Sequence, residues 1–156
     1  QKEDVAGYIK NLIDKYQIPM ELFQLEITET TENAESLSYI NSLKQAGFTL
    51  LMDDFGSGYS SLCMLKNTPF DVLKMDRQFL DECLDSKQGK TIISHVISMS
   101  NDLGLSIIAE GVENRGTADF LYDNGCSVSQ GFYFSKPVSI PEFEHMLDEQ
   151  QTEQQR

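Results

Sequence analysis

The sequence predicts an α/β fold organised on a parallel sheet. Short apolar runs of strand length alternate along the chain with longer segments whose apolar residues recur at helical spacing. Strands separated by helices in this way pair in parallel through right-handed crossovers. Almost every apolar run also ends on a charged or amide side chain, and parallel strands present all their C-terminal ends at one face.

The elements follow in order. Val5, Ile9, Leu12, Ile13 and Tyr16 form one stripe and predict a helix over Asp4–Tyr16. Leu22–Thr28 (LFQLEIT) reads as a strand. A second helix is expected over Glu32–Ala46, with Leu37, Ile40 and Leu43 on one face and Gly47 as its stop. Phe48–Met52 (FTLLM) is apolar nearly throughout, as a strand covered on both faces would be. A Gly- and Ser-rich loop, Asp54–Ser61, leads into a short helix, and Asp71–Met75 is the next strand. Further along come a helix over Gly89–Leu103 closed by Gly104, a strand Ser106–Ala109 and a helix Thr117–Asn124 stopped by Gly125. Cys126–Ser129 is a short strand, Phe132–Ser135 is counted as one more, and a last helix follows Pro141. The polar tail 149–156 (EQQTEQQR) reads as disordered. About six strands are too few to close an eight-stranded barrel, which usually takes about 250 residues.

Composition narrows the function. The 156 residues suit one domain, residues 1–148, with 40% hydrophobic and 24% charged side chains. Twelve basic against 25 acidic residues give a net charge of −13. Phosphate backbones and anionic lipid are held by Lys and Arg, so DNA, RNA and direct membrane contact are not expected. No apolar run is long enough to span a bilayer. Cys63, Cys83 and Cys126 lack metal-site spacing and read as reduced core thiols, which points to a cytoplasmic location. The chain begins with Gln1 rather than Met, which suggests a fragment of a longer protein.

Chemistry concentrates at the strand ends. Glu26 lies late in LFQLEIT, Asp53 and Asp54 follow FTLLM, Lys74 lies in DVLKM, Glu110 follows SIIA and Gln130 follows CSVS. Any one carboxylate there could simply cap the next helix. A lysine inside an apolar strand needs a partner, because an unpaired buried ammonium is costly. Four acids against one lysine would leave about three negative charges that repel and raise one another's pKa values, so cations are expected among them. Oxygen ligands favour Mg²⁺, Mn²⁺ or Ca²⁺ over zinc. Adjacent Asp53 and Asp54 would suit two ions about 4 Å apart, the arrangement that activates water for phosphoester hydrolysis.

These segments, LEITET (25–30), DDFGSGYSSL (53–62), FDVLKMD (70–76), IIAEGVE (107–113) and QGFYFSKP (130–137), resemble the EAL-domain family of cyclic di-GMP phosphodiesterases in order and nearly in spacing. The specific part is DDFGSGYSSL with AEGVE beginning 47 residues after its closing Leu62. The resemblance implies a TIM-type (βα) barrel and opening of cyclic di-GMP to linear pGpG with Mg²⁺ or Mn²⁺. It implies Glu26 and Asp53 as ligands of one metal and Asp53, Asp54 and Glu110 as ligands of a second. Lys74 matches the lysine that contacts the attacking water, and Gln130 a residue lining the site. Glu113 matches a glutamate that steadies the loop of Gly56, Ser57 and Gly58 through Ser60, a loop that couples the dimer interface to metal binding. Ser57 stands where threonine is commoner, and the segment between Glu26 and Asp53 is slightly short.

The family's name-giving Glu-Ala-Leu strand and the next strand, with a metal-binding asparagine, have no counterpart upstream of the first helix. Losing two metal ligands would cost at least the 10- to 100-fold of a lost supporting group, so this chain alone is expected to be inactive and its parent active. An incomplete barrel would expose two sheet edges, and homo-oligomers through those edges, or through the Gly56–Ser60 loop, are expected. A non-catalytic cyclic di-GMP sensor is the alternative, disfavoured because no matched acid or lysine is lost. A receiver domain also pairs acids with a strand-end lysine, but Lys74 follows Asp53 by only 21 residues, which leaves no room for its phosphoacceptor strand.

Overall fold

The computed structural model describes residues 5–28, 34–57 and 61–154, and the elements named below are those of the described residues. The chain runs α1 (Val5–Tyr16), β1 (Gln24–Thr28), α2 (Ala34–Gln45), β2 (Thr49–Phe55), α3 (Ser61–Asn67) and β3 (Val72–Met75). It continues α4 (Arg77–Leu84), α5 (Lys87–Asp102), β4 (Ser106–Ala109), α6 (Arg115–Asp123), β5 (Val128–Ser129) and α7 (Ile140–Gln154). The five strands are all parallel and lie in the sheet in chain order, β1-β2-β3-β4-β5. That order decides the fold class. Every crossover steps one strand in the same direction, as in a (βα) barrel, and no strand order reverses as it does in doubly wound sheets. The receiver-domain alternative is thereby overturned.

The period-two alternation of strands then divides the sheet into two faces. Leu50, Met52, Leu73, Met75, Ile107 and Ala109 are buried on one face. They join a single apolar cluster with Ile13 of α1, Ile40 and Leu43 of α2, Met64 and Leu65 of α3, Leu80 of α4, Ile93 and Ile97 of α5 and Leu121 of α6. The other face carries Glu26, Leu51, Asp53, Val72, Lys74 and Ile108, at alternate positions of strands in register Glu26–Leu51–Val72 and Lys74–Ile108. All four residues of β3 are buried, so Lys74 sits in a strand covered on both faces.

Caps set the helix starts. The Asp76 carboxylate accepts from Gln78 N at 2.8 Å and opens α4. Ser86 Oγ accepts from Gly89 N at 2.9 Å to open α5, and Asn114 Oδ1 accepts from Thr117 N at 2.9 Å to open α6. At α7, Ser139 donates N–H and hydroxyl to Glu142 at 2.9 and 2.7 Å, so the helix begins at Ile140, just before Pro141.

Several expectations are corrected. Phe132–Ser135 is a turn, which leaves five strands among the described residues instead of about six. Phe134 N and Ser135 N both donate to Gly131 O, at 3.0 and 3.2 Å, and close the chain on itself. Strand β2 extends three residues past Met52 and takes Asp53 and Asp54 into the sheet. The helix α4 is absent from the sequence reading altogether. The segment from Glu149, read as a disordered tail, continues α7 as far as Gln154, because Glu and Gln are good helix formers and a capped helix precedes them. Cys126 is a buried thiol, but Cys63 is exposed and Cys83 partly so; all three are free. Among the described residues no helix is long and apolar enough to cross a membrane.

The central layer should dominate stability. Leu73→Ala, at a position with no exposure, is expected to lower the unfolding free energy in urea titrations by about 2–5 kcal/mol. Leu103→Ala, at a position 58% exposed, is expected to change it by no more than about 0.5 kcal/mol.

Candidate metal and catalytic centre

Four strands bring their polar ends together around one ammonium group. Lys74 Nζ lies 2.7 Å from Glu26 Oε1, 2.8 Å from Asp53 Oδ1 and 2.6 Å from Glu110 Oε1. Glu26 comes from β1, Asp53 from β2, Lys74 from β3, and Glu110 immediately follows β4. Gln130, next after β5, adds a hydrogen bond from Nε2 to Glu110 Oε1 at 3.0 Å. The alternation places all five on the face opposite the helices, since Glu26, Lys74, Glu110 and Gln130 share strand parity with the inward positions and Asp53 pairs with Thr28 in the β1–β2 ladder.

The electrostatics follow from burial. The Lys74 side chain is 8% exposed, against 17% for Asp53, 18% for Glu110 and 52% for Glu26. Burial alone would push the lysine pKa down, but its hydrogen bonds to Asp53, Glu110 and Glu26 together outweigh that and hold it well above 10.5. Lys74 is therefore held as a cation by its acid partners. Three carboxylates around one ammonium leave a surplus of negative charge.

Asp54 is placed differently. The pairing of β2 with β3 shifts register between Met52 and Phe55, and Asp54 there has φ 57°. This bulge interrupts the alternation, as bulges beside active sites do, and aspartate tolerates the left-handed conformation. Burial raises the Asp54 pKa above 3.8, and the neighbouring charges of Asp53 and Asp76 raise it further. Asp54 O accepts from Ser57 N at 3.1 Å and from Ser57 Oγ at 2.8 Å, closing the turn that carries Gly56.

The donor set suits a hard divalent cation. Carboxylate oxygens converge, and the Lys74 ammonium stands where a cation is surrounded by three of them. Among the described residues no group of three or more His, Cys, Asp and Glu side chains is arranged to hold a metal ion, and three of the acids meet instead at the lysine ammonium.

Comparison with known proteins decides the family. The EAL-domain family model matches residues 1–137. The chain belongs to the EAL-domain family. It is 39% identical over 153 residues to the signaling protein YkoW of Bacillus subtilis, covering 96% of this chain and 19% of that protein. It is 37% identical over 147 residues to the cyclic di-GMP phosphodiesterase RocR of Pseudomonas aeruginosa, covering 92% of this chain and 37% of that protein. Among solved structures, the EAL domain of Mycobacterium smegmatis DcpA is similar with a TM-score of 0.86 at 32% identity, over 95% of this chain and 68% of that one. A manganese and cy-diGMP complex of Klebsiella pneumoniae BlrP1 is similar with a TM-score of 0.81 at 29% identity, over 88% of this chain and 36% of that one. The chain thus spans well under half the length of these curated relatives.

The remaining residues of the EAL pattern fall into two groups. Gly56 and Ser57 form the turn after β2, while Gly58 and the loop to Ser60 lie outside the described residues. Glu113 pairs with Arg77, Nη2 to Oε1 at 2.8 Å. The sequence reading passes over Arg77 and also Phe79, whose ring lies against Gly56. The signal for both was the helix start they belong to: Asp76, a capping residue, directly after a strand.

The charge balance gives two stability predictions. Lys74→Met should lower the melting temperature at neutral pH, with part of the loss recovered at acid pH as the orphaned carboxylates take up protons. In the wild type, the contribution of Lys74 is present below its ordinary pKa of 10.5 and is lost as pH rises through the raised folded value. Asp54→Asn should leave the metal-free melting temperature unchanged or higher, because ionised Asp54 is disfavoured by its surroundings, whereas Asp53→Asn should lower it.

Proposed function

We propose that this chain carries the acid-and-lysine face of a metal-dependent phosphodiesterase that opens cyclic di-GMP to linear pGpG. The observation that carries the reading is the convergence of Glu26, Asp53 and Glu110 on the Lys74 ammonium at the C-terminal ends of consecutive parallel strands. The names of RocR and of the BlrP1 complex support it.

Of two Mg²⁺ or Mn²⁺ ions, one would be held by Glu26 and Asp53 and the second by Asp53, Asp54 and Glu110. When bound, such cations neutralise phosphate charge and activate water. The chain's own residues supply the rest. Lys74 keeps its proton and, where a cation draws one of its three acids away, would have an N–H free to donate to the attacking water. Gln130 fixes one oxygen of Glu110, leaving the other for a cation or a proton. Asp54, whose charge is disfavoured by burial and by the neighbouring acids Asp53 and Asp76, would be favoured by a cation beside it. We further propose that Gly56, Ser57 and Gly58 shape the loop beside the acids, that Glu113 supports it from the β4 side, and that the protein works in the cytoplasm.

Self-association belongs to the same reading. Strands β1 and β5 bound the sheet, and Phe132, Phe134, Ile140 and Phe143 are more than half exposed. Light scattering at micromolar concentration should give a mass above that of one chain, and a monomeric mass would overturn this proposal.

The test of the activity uses the full-length protein that contains this chain. Mn²⁺ titration by calorimetry should show binding that Asp53→Ala removes, and cyclic di-GMP should be converted to pGpG. Glu110→Ala and Lys74→Ala should each lower turnover by at least about 100-fold, with dinucleotide binding surviving better in the lysine variant. Binding of cyclic di-GMP without hydrolysis would replace the enzyme by a sensor.

A further inference from the structure

We propose that Arg77 and Phe79, on the first turn of α4, are positioning residues that set the spacing between the acids of β2 and the acid that follows β4. The inference rests on the metal reading above for one of its two readouts.

Both contacts are made against glycines that follow acids of the cluster. Gly111 comes directly after Glu110 and has φ 68°; a Cβ built there would stand 2.4 Å from Arg77 Cγ. Gly56 comes two residues after Asp54 and has φ 99°; a Cβ there would stand 2.4 Å from Cγ of the Phe79 ring. Real Cβ atoms do not approach so closely, so the stem of Arg77 and the ring of Phe79 each occupy the space that only glycine leaves open.

Each contact is also pinned at its far side. The Arg77 guanidinium pairs with Glu113 at 2.8 Å and with Asp81 of its own helix at 3.3 Å, so the stem is held at both ends of its reach. Phe79 stacks edge-on with Phe55, ring centroids 6.1 Å apart at 88°. The start of α4 is fixed to both strands by backbone: Asp76 N donates to Phe55 O at 3.2 Å, and Glu110 N donates to Met75 O at 3.0 Å. One helical turn therefore touches the backbone just after Asp53 and Asp54 and the backbone just after Glu110. Lys74 lies three residues before Arg77, where that turn begins, and between the same acids. A shift of the turn would change how far apart the acids stand, without touching any of them.

A role in positioning differs from a role in stability by what it moves. In uniformly ¹⁵N-labelled protein, the Lys74 ammonium resonance reports its three ion pairs and needs no metal. Arg77→Ala is expected to shift that resonance and to weaken Mn²⁺ binding by about tenfold, the usual effect of losing support behind a metal ligand. Arg77→Lys, which keeps the stem and the charge, should stay near wild type in both. Phe79→Leu should act like Arg77→Ala, with Phe79→Tyr as its conservative control. The proposal is overturned if Arg77→Ala and Phe79→Leu lower the melting temperature but leave the Lys74 resonance and the Mn²⁺ affinity of the folded protein unchanged. If the wild type binds no Mn²⁺, the metal reading falls and the resonance alone decides. Arg77 is half exposed, so its variants are expected to fold even if Phe79→Leu does not.

Discussion

An ammonium group buried in a strand with no exposed neighbours is the constraint around which this molecule is arranged. Lys74 occupies β3 between residues buried on both faces, where an unpaired charge would be too costly to keep. Its partners come from β1, from β2 and from the residue after β4, so no local segment can satisfy it. The sheet must form in chain order and in register before the lysine is compensated. Once it does, the site is over-supplied with negative charge, which is a cost in the metal-free protein and an attraction for divalent cations.

The strand face that carries these groups is separated from the face that holds the fold together. Leu50, Met52, Leu73, Met75, Ile107 and Ala109 anchor the helices, and their neighbours one residue away carry the chemistry. A one-residue slip would exchange the two sets, so packing enforces the site's geometry. The bulge at Asp53–Asp54 is the exception. Two consecutive aspartates cannot both follow a strict alternation, and the register shift together with the positive φ of Asp54 lets both stay near the cluster.

The surface charge fits this division of labour. An acidic chain repels polyanions in general, and the function proposed above would need cations among the acids for a phosphodiester to approach. Glycines at 56 and 111 allow the first turn of α4 to close against the loops from two strands, so the acids are backed by side chains rather than by open loop.

Much of this was legible from the sequence. Short apolar runs and helical spacing identified the strands and most helices, and Glu26, Asp53, Asp54, Lys74, Glu110 and Gln130 were legible as polar residues at or near the ends of those runs. These features are local: they depend on which residue follows which. The family motifs were legible for the same reason. The sequence reading missed α4 because its start is marked by a single capping residue, Asp76, directly after a strand, and it took Phe132–Ser135 for a strand because three aromatics favour β structure wherever a turn does not override them. The Gly131 turn and its bond to Val112 are tertiary and invisible to propensity. Only the folded chain decided that Lys74 faces three of the acids and that Asp54 sits at a bulge. It alone decided that Arg77 reaches Glu113 and that Cys63 is exposed. Sequence by itself determined the order of elements and the residue types at their ends, since periodicity and motif are written in neighbouring residues. Tertiary structure decided which of those ends meet, because contacts between residues far apart in the chain are set by register and packing.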